Sequence, residues 1–297
     1  MRQKLRRAGS CRRRLTVEPL KADSDRMPIA AVLQMTSAAS VEANLSCART
    51  LLERAHASGA VLAVLPENFS IMGRKESDKI DAGEALGEGP IQAFLSRTAR
   101  ELGMWIIGGT IPIKVAEEPH RVAAASLVFD ADGKFVTRYD KIHMFDVDIP
   151  EREERYRESA TIVPGKDLVV VSTPIGHVGL AVCYDVRFPE LFRSLQAQGA
   201  QALSIPSAFT APTGRAHWEL LLRARAVENL CFVLAAAQGG THENGRETFG
   251  DSLIIDPWGQ VLARVAEPGP GVAVAEIDLT LQAELRIRFP ALTHRRL

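Results

Sequence analysis

The chain has 297 residues, 46% of them apolar, with 36 basic and 36 acidic side chains that cancel to a formal net charge of zero. A neutral chain lacks the global field that would draw it onto nucleic acid or a membrane surface, and no apolar run approaches the ~20 residues that a membrane span needs. The four cysteines, Cys11, Cys47, Cys183 and Cys231, show no paired spacing, so no disulfide framework is indicated and a reducing cytoplasm is the expected setting.

Residues 1–14 are strongly basic, and 17–26 carry no periodic pattern. The stretch has no apolar h-region of a secretory signal. It reads as a disordered extension or as sequence upstream of a true start at Met27, with a transit-like peptide or a tether to an anionic surface as functional alternatives. One catalytic domain is expected over 27–297, because no Pro/Ser-rich linker divides the interior. Its first half predicts a strand over 29–35, a helix over 41–56, a strand over 61–65, a helix over 90–102, a strand over 104–108 and a hairpin turning at Asp130–Gly133. The second half repeats the order: strand 178–183, helix 189–198, strand 202–205, helix 217–229, strand 231–236 and a hairpin turning at Asp256–Gly259. Pro66 and Pro206 close equivalent strands. Two pseudo-repeated halves of this kind predict an α/β fold in which two sheets face each other with helices outside, an α-β-β-α sandwich. The alternation in 253–255 and 273–278 serves the sheet faces.

Three predicted strands run out into polar chemistry. Gly179-Leu-Ala-Val-Cys-Tyr-Asp-Val-Arg-Phe-Pro-Glu190 delivers Cys183 to a strand-to-helix turn, the edge of an α/β sheet where ligands bind. Taken alone, Cys183 reads more readily as a buried core cysteine, and the two segments that follow change that balance. Val61-Leu-Ala-Val-Leu-Pro-Glu67 ends in a carboxylate that is ill placed as core filler, a candidate base. Arg138-Tyr-Asp-Lys141-Ile-His follows the first hairpin and sets Lys141 among apolar and aromatic neighbours, a candidate cation.

Glu67 in L-P-E-N, Lys141 in Y-D-K-I-H and Cys183 in G-L-A-V-C-Y-D, in that order, resemble the Glu-Lys-Cys signature of the nitrilase superfamily of carbon-nitrogen hydrolases. The resemblance covers 27–297. Pro206-Ser-Ala-Phe-Thr210, the stretch from Thr213 to Asn229 and Asp256-Pro-Trp-Gly259 are similar to its Nit branch, although Arg215 stands where that family commonly has proline. The branch carries a second glutamate in an E-S pair ahead of a Pro-Gly, and Glu158 in Arg157-Glu-Ser-Ala-Thr-Ile-Val-Pro-Gly165 fits it. Glu151, Glu153 and Glu154 in the same loop read as a solvated charge run.

The chemistry gives each residue type a task. Glu67 takes the thiol proton and later returns it to the leaving amine, its pKa raised by desolvation into a useful range. Cys183 attacks the amide carbon and becomes a thioester. Lys141 and the Tyr184 N–H stabilise the oxyanion, and Glu158 keeps Lys141 charged and aimed. Water activated by Glu67 then frees the acid, with ammonia as the other product. His143, His177 and His217 offer a Cys-His alternative, but the placement of His177 and His217 singles out neither, and His143, two residues after Lys141 and able to approach the site, reads as a structural or supporting residue. No metal-ligand spacing is present, and neither metal nor cofactor is expected. The complete set of four residues gives no support to an inactive scaffold that binds a partner protein.

Tyr184-Asp185 after the cysteine is similar to amidase-type Nit proteins. Of these, one group acts on 2-oxoglutaramate-like substrates and another removes deaminated glutathione; 206–210, 235–239 and the loop 241–248 resemble the second. Both substrate classes present a carboxylate, for which Arg187 is the expected contact, a salt bridge to Asp185 or Glu190 being its alternative. Tyr184, Phe209 and Thr210 complete the expected substrate contacts. The resemblance also implies a homodimer packed through helix layers, to which Leu191–Ala197 could contribute.

Overall fold

The computed structural model describes residues 27–149 and 154–296; the basic extension 1–26, Glu151 and Glu153 lie outside the described residues. In chain order the first half comprises β1 (Ile29–Gln34), α1 (Val41–Ala57), β2 (Ala60–Val64), the single turn α2 (Asp78–Asp81), α3 (Pro90–Leu102), β3 (Trp105–Ile107), β4 (Ile111–Lys114), β5 (Val122–Phe129) and β6 (Phe135–Asp140). The short pair β7 (Asp148–Ile149) and β8 (Glu154–Arg155) bridges to the second half. There follow β9 (Val170–Thr173), β10 (Gly176–Leu180), α4 (Pro189–Ala197), β11 (Ala202–Ser204), α5 (Ala211–Asn229) and β12 (Phe232–Ala235). The chain ends with β13 (Gly239–Thr241), β14 (Glu247–Phe249), β15 (Ser252–Ile255), β16 (Val261–Val265), β17 (Gly271–Glu276) and α6 (Leu279–Arg288).

Each half builds on three parallel strands, β1-β2-β3 and β10-β11-β12. The two sheets face each other, and strand alternation sorts their side chains. Ala30 and Val32 of β1, with Leu62 and Val64 of β2, point into a core shared with Val178, Leu180, Phe232 and Leu234. Their neighbours Ala31, Leu33 and Ala63 point the other way, onto Leu51, Leu52, Phe94 and Leu95 of α1 and α3. That period of two is what two-sided burial of a sheet demands. The expected α-β-β-α sandwich is the architecture observed. No helix among the described residues is long and apolar enough to cross a membrane.

Several details depart from the sequence reading. Helix α5 starts at Ala211, six residues before His217, because Pro212 presets the first turn and Gly214, though a helix breaker by propensity, packs where an added Cβ would lie 2.2 Å from Phe249. Arg215 therefore sits exposed within a regular helix. The strands β4, β9, β13 and β14 and the helix α6 are too short or too weakly patterned to have been predicted. β17 crosses over to pair antiparallel with β1 in the first sheet, which breaks the symmetry of the halves. Helix α4 spends Leu191, Phe192 and Leu195 on the chain's own core. Exposed apolar side chains include Leu220 and Val227 of α5, Ile287 of α6, and Trp258 and Phe289, whose rings meet edge to face.

Candidate active site

Lys141, one residue past β6, is anchored at both ends of its peptide unit. Its N–H donates to Ala124 O at 3.1 Å and its carbonyl accepts from the Gly165 N–H at 2.8 Å. Gly165 is the only residue type that fits there, since an added Cβ would sit 2.2 Å from the Asp140 carbonyl. The side chain is 1% exposed. Its Nζ donates to Glu67 Oε1 at 2.8 Å and to both oxygens of Glu158, each at 2.8 Å. Glu158 opens a one-turn 3-10 segment and also accepts the Phe145 N–H at 2.7 Å. Asp146 clamps that turn by accepting the Ser159 hydroxyl at 2.6 Å and the Ser159 N–H at 3.0 Å.

Glu67 follows the end of β2, and the next residue, Asn68, has a left-handed φ of 56° with its N–H on Thr110 Oγ1 at 2.8 Å. The Glu67 carbonyl accepts from Gln238 Nε2 at 2.9 Å, and the same fully buried amide grips Ser37. One side chain thus ties the carboxylate turn to β1 and to the second sheet.

Cys183 does not close its strand as expected. β10 ends at Leu180, and Cys183 opens a tight 3-10 turn, Cys183–Arg187, with φ at 49°. A non-glycine residue in this region is strained, and such strain concentrates at functional sites. The surroundings fix it: Cys183 N–H donates to Pro206 O at 2.8 Å, and the thiol meets the Ala208 N–H and the Glu67 carboxylate. Asp185, fully buried, organises the turn by accepting from Tyr139 Oη (2.7 Å) and the Val182 N–H (2.8 Å) and by holding His143 Nδ1 at 2.6 Å. His143 is thereby occupied and stacks on Phe188 at 3.7 Å. His177 pairs with Ser172 at the surface, and His217 approaches Arg187. None of the three lines the cleft around Cys183.

The electrostatics differ from expectation in one sign. Burial alone raises the Glu67 carboxyl more than any other influence, but the charge and hydrogen bond of Lys141, the hydrogen bond from Cys183 and the charge of Arg246 together outweigh it. Glu67 is thus held below the ordinary carboxylate range, not lifted above it. Lys141 is pushed well above its ordinary value: burial acts to lower it, and Glu158, Glu67 and Cys183 overcome that. Burial, then the Glu67 charge, drives the Cys183 thiol far up, with Lys141 opposing. The resting arrangement is a neutral thiol beside an ionised carboxylate and a charged lysine.

The sequence profile of the Carbon-nitrogen hydrolase family matches residues 29–287. The chain belongs to the carbon-nitrogen hydrolases. It is 42% identical over 266 residues to a Yersinia enterocolitica protein named deaminated glutathione amidase, covering 90% of this chain and 92% of that one. The Caenorhabditis elegans NitFhit protein superposes with a TM-score of 0.85 at 40% identity; the match covers 91% of this chain and 65% of that one, so this chain spans about two thirds of NitFhit. A Saccharomyces cerevisiae member of branch 10 of the nitrilase superfamily gives a TM-score of 0.81 at 30% identity, over 92% of this chain and 97% of that one. The chain is an enzyme of amidase type.

In this carbon-nitrogen hydrolase the four candidate side chains meet on the floor of a cleft of about 150 Å³, and Tyr184, Arg187, Phe209 and Thr210 line its walls. Phe209 packs on Trp218 with ring centroids 5.0 Å apart, and the Thr210 hydroxyl pairs with Thr213 at 2.8 Å. Arg187 makes no salt bridge to Asp185 or Glu190. Its guanidinium lies 5.3 Å from the Phe209 ring centroid and 5.8 Å from that of Tyr184, facing the cleft. The walls also hold Glu76, Lys79, Tyr156 and Arg246, which sequence reasoning missed. They come from loops and the single turn α2, where no periodicity marks a residue as facing inward.

Proposed function

We propose that this amidase hydrolyses deaminated glutathione through a thioester on Cys183. The observation that carries the reading is the hydrogen-bonded line from the Cys183 thiol to Glu67 to Lys141 to Glu158, at the floor of a cleft with aromatic walls. Because Glu67 is anionic and the thiol neutral at rest, proton transfer accompanies attack. The Cys183 Sγ–C bond forms as the thiol proton passes to Glu67. The oxyanion then meets Lys141 and the Tyr184 N–H, preorganised donors of the kind that contribute most to acyl transfer. Collapse breaks the C–N bond while Glu67 returns its proton to the nitrogen. Water, deprotonated by the same carboxylate, cleaves the thioester, and the proton ends on the regenerated thiol.

For this substrate the departing amine is the dipeptide cysteinylglycine and the acid is 2-oxoglutarate; ammonia leaves only from a primary amide such as 2-oxoglutaramate. The assay therefore reads 2-oxoglutarate. Wild type is expected to release it from deaminated glutathione faster than from 2-oxoglutaramate, and Cys183→Ala to lose at least ~10³-fold on both. A wild type that prefers 2-oxoglutaramate would move the chain to that substrate class, and unchanged turnover in Cys183→Ala would end the thioester reading.

The exposed apolar side chains Leu220 and Val227, seven residues apart on α5, and the exposed ring pair Trp258–Phe289 support a homodimer, since exposed apolar surface of this kind marks association sites. Light scattering is expected to report twice the chain mass for wild type and a single chain mass for Leu220→Glu; a monomeric wild type would refute the dimer.

A further inference from the structure

Among the described residues six cations line the cleft: Lys79, Lys141, Arg155, Arg157, Arg187 and Arg246. Four of them face carboxylates. Lys141 bridges Glu67 and Glu158, Lys79 pairs with Glu76 at 3.0 Å, and Arg155 and Arg157 both reach Asp148. Among the described residues no carboxylate pairs with Arg187 or with Arg246. A guanidinium presents five N–H donors. That of Arg246 commits one, Nη2, to the Ala208 carbonyl at 2.8 Å, lies 5.2 Å from the Tyr156 ring centroid and leaves its buried Nε without an acceptor. It is held in place, only partly satisfied and without a counter-ion, which is the state expected of an anion-binding group before its anion arrives.

The two uncompensated guanidiniums occupy different walls. Arg187 belongs to the Cys183 turn and lies among Tyr184, Phe209 and His217. Arg246 comes from the turn between β13 and β14, and its charge acts on Glu67 and on Glu76. Glu67 is the group that returns a proton to the departing nitrogen, so the departing half of the substrate lies toward its side. We infer that the cleft has two carboxylate subsites, Arg187 for the acyl half and Arg246 for the departing half, and that Arg246 selects dicarboxylate amides over monocarboxylate ones. The assignment of the two halves rests on the proposed roles of Glu67 and Cys183. It fits deaminated glutathione, whose 2-oxo acid and glycine ends each carry a carboxylate, whereas 2-oxoglutaramate has only the first.

Steady-state kinetics on Arg246→Gln and Arg246→Lys with both substrates tests this. For Arg246→Gln, kcat/KM on deaminated glutathione is expected to fall roughly 10- to 100-fold further than on 2-oxoglutaramate, the extra loss mainly through KM, with Arg246→Lys intermediate. Amidation of the glycine carboxylate should impose a similar loss on wild type. A purely structural Arg246, acting through the Ala208 carbonyl and the thiol beside it, would lower both substrates alike; that result overturns the inference, as does an unchanged dicarboxylate reaction. Calorimetry of glutarylalanylglycine and glutaramate binding to Cys183→Ala, with and without Arg246→Gln, gives an answer even if wild type turns over neither substrate. Glutarylalanylglycine affinity that drops with Arg246→Gln by more than glutaramate affinity does supports the second subsite. Absent or unaltered glutarylalanylglycine binding refutes it, whatever becomes of the proposed reaction.

Discussion

Replacing Glu67 by glutamine should remove ~10²–10⁴-fold of kcat/KM, the usual loss of a positioned general base, and at the same time make the Cys183 thiol easier to ionise. The second half follows from the charges in the site. The Glu67 carboxylate is one of the two influences that push the thiol up, with burial the larger, and Lys141 is the main one that opposes them. Glu67→Gln would leave the lysine in place without the carboxylate charge beside the thiol. Iodoacetamide labelling of Cys183 against pH should then titrate lower in Glu67→Gln than in wild type, even as turnover falls. An unshifted labelling profile together with lost turnover would mean that Glu67 does not act on the thiol.

Lys141→Met should be the most destabilising substitution at the site. The lysine is the cation between two carboxylates, Glu67 at 4% and Glu158 at 14% side-chain exposure. Removing one partner of a buried ion pair costs about 3–5 kcal/mol, because the other charge is left uncompensated. The pH dependence should change sign with it. In wild type the depressed Glu67 contributes stability that is present above the ordinary 4.5 and is lost as pH falls through its lower folded value. The raised Lys141 contributes stability that is complete below 10.5 and is lost as pH rises through its higher folded value. Without the lysine, burial governs Glu67 and lifts it above 4.5, so the ionised form opposes folding. Thermal unfolding of Lys141→Met should therefore shift to higher temperature as pH is lowered from about 8 to about 5, where wild type gains nothing. A variant that unfolds at the wild-type temperature throughout that range would show that the ion pairs carry little of the stability.

The parallel strands and their helices were legible because apolar runs of four to seven residues bounded by Pro and Gly admit few alternatives, and helix 90–102 was read to the residue. Glu67, Lys141 and Cys183 were legible because each follows a predicted strand, where a polar group is conspicuous, whereas Glu158, in a 3-10 turn after the two-residue β8, was legible only through the E-S pair of the resemblance. The direction of the Glu67 shift was not. It depends on whether desolvation or Lys141 prevails, and that turns on a 2.8 Å contact between residues 74 positions apart. Arg246 was equally hidden: in the sequence it is one more charge in an exposed turn, and only the fold sets it over Tyr156 and against the Ala208 carbonyl.

The crossover of β17 has a consequence for how the chain is made. β1 lies between β2 and β17, so the strand synthesised near the start of the domain lacks its second neighbour until nearly the whole domain has left the ribosome. Until then its outer row of N–H and C=O groups is an unprotected edge, open to pairing with another nascent chain. A chain that stops after Val265 would keep every residue of the candidate catalytic set and still expose that edge, so such fragments should leave solution as aggregates before they can act on substrate.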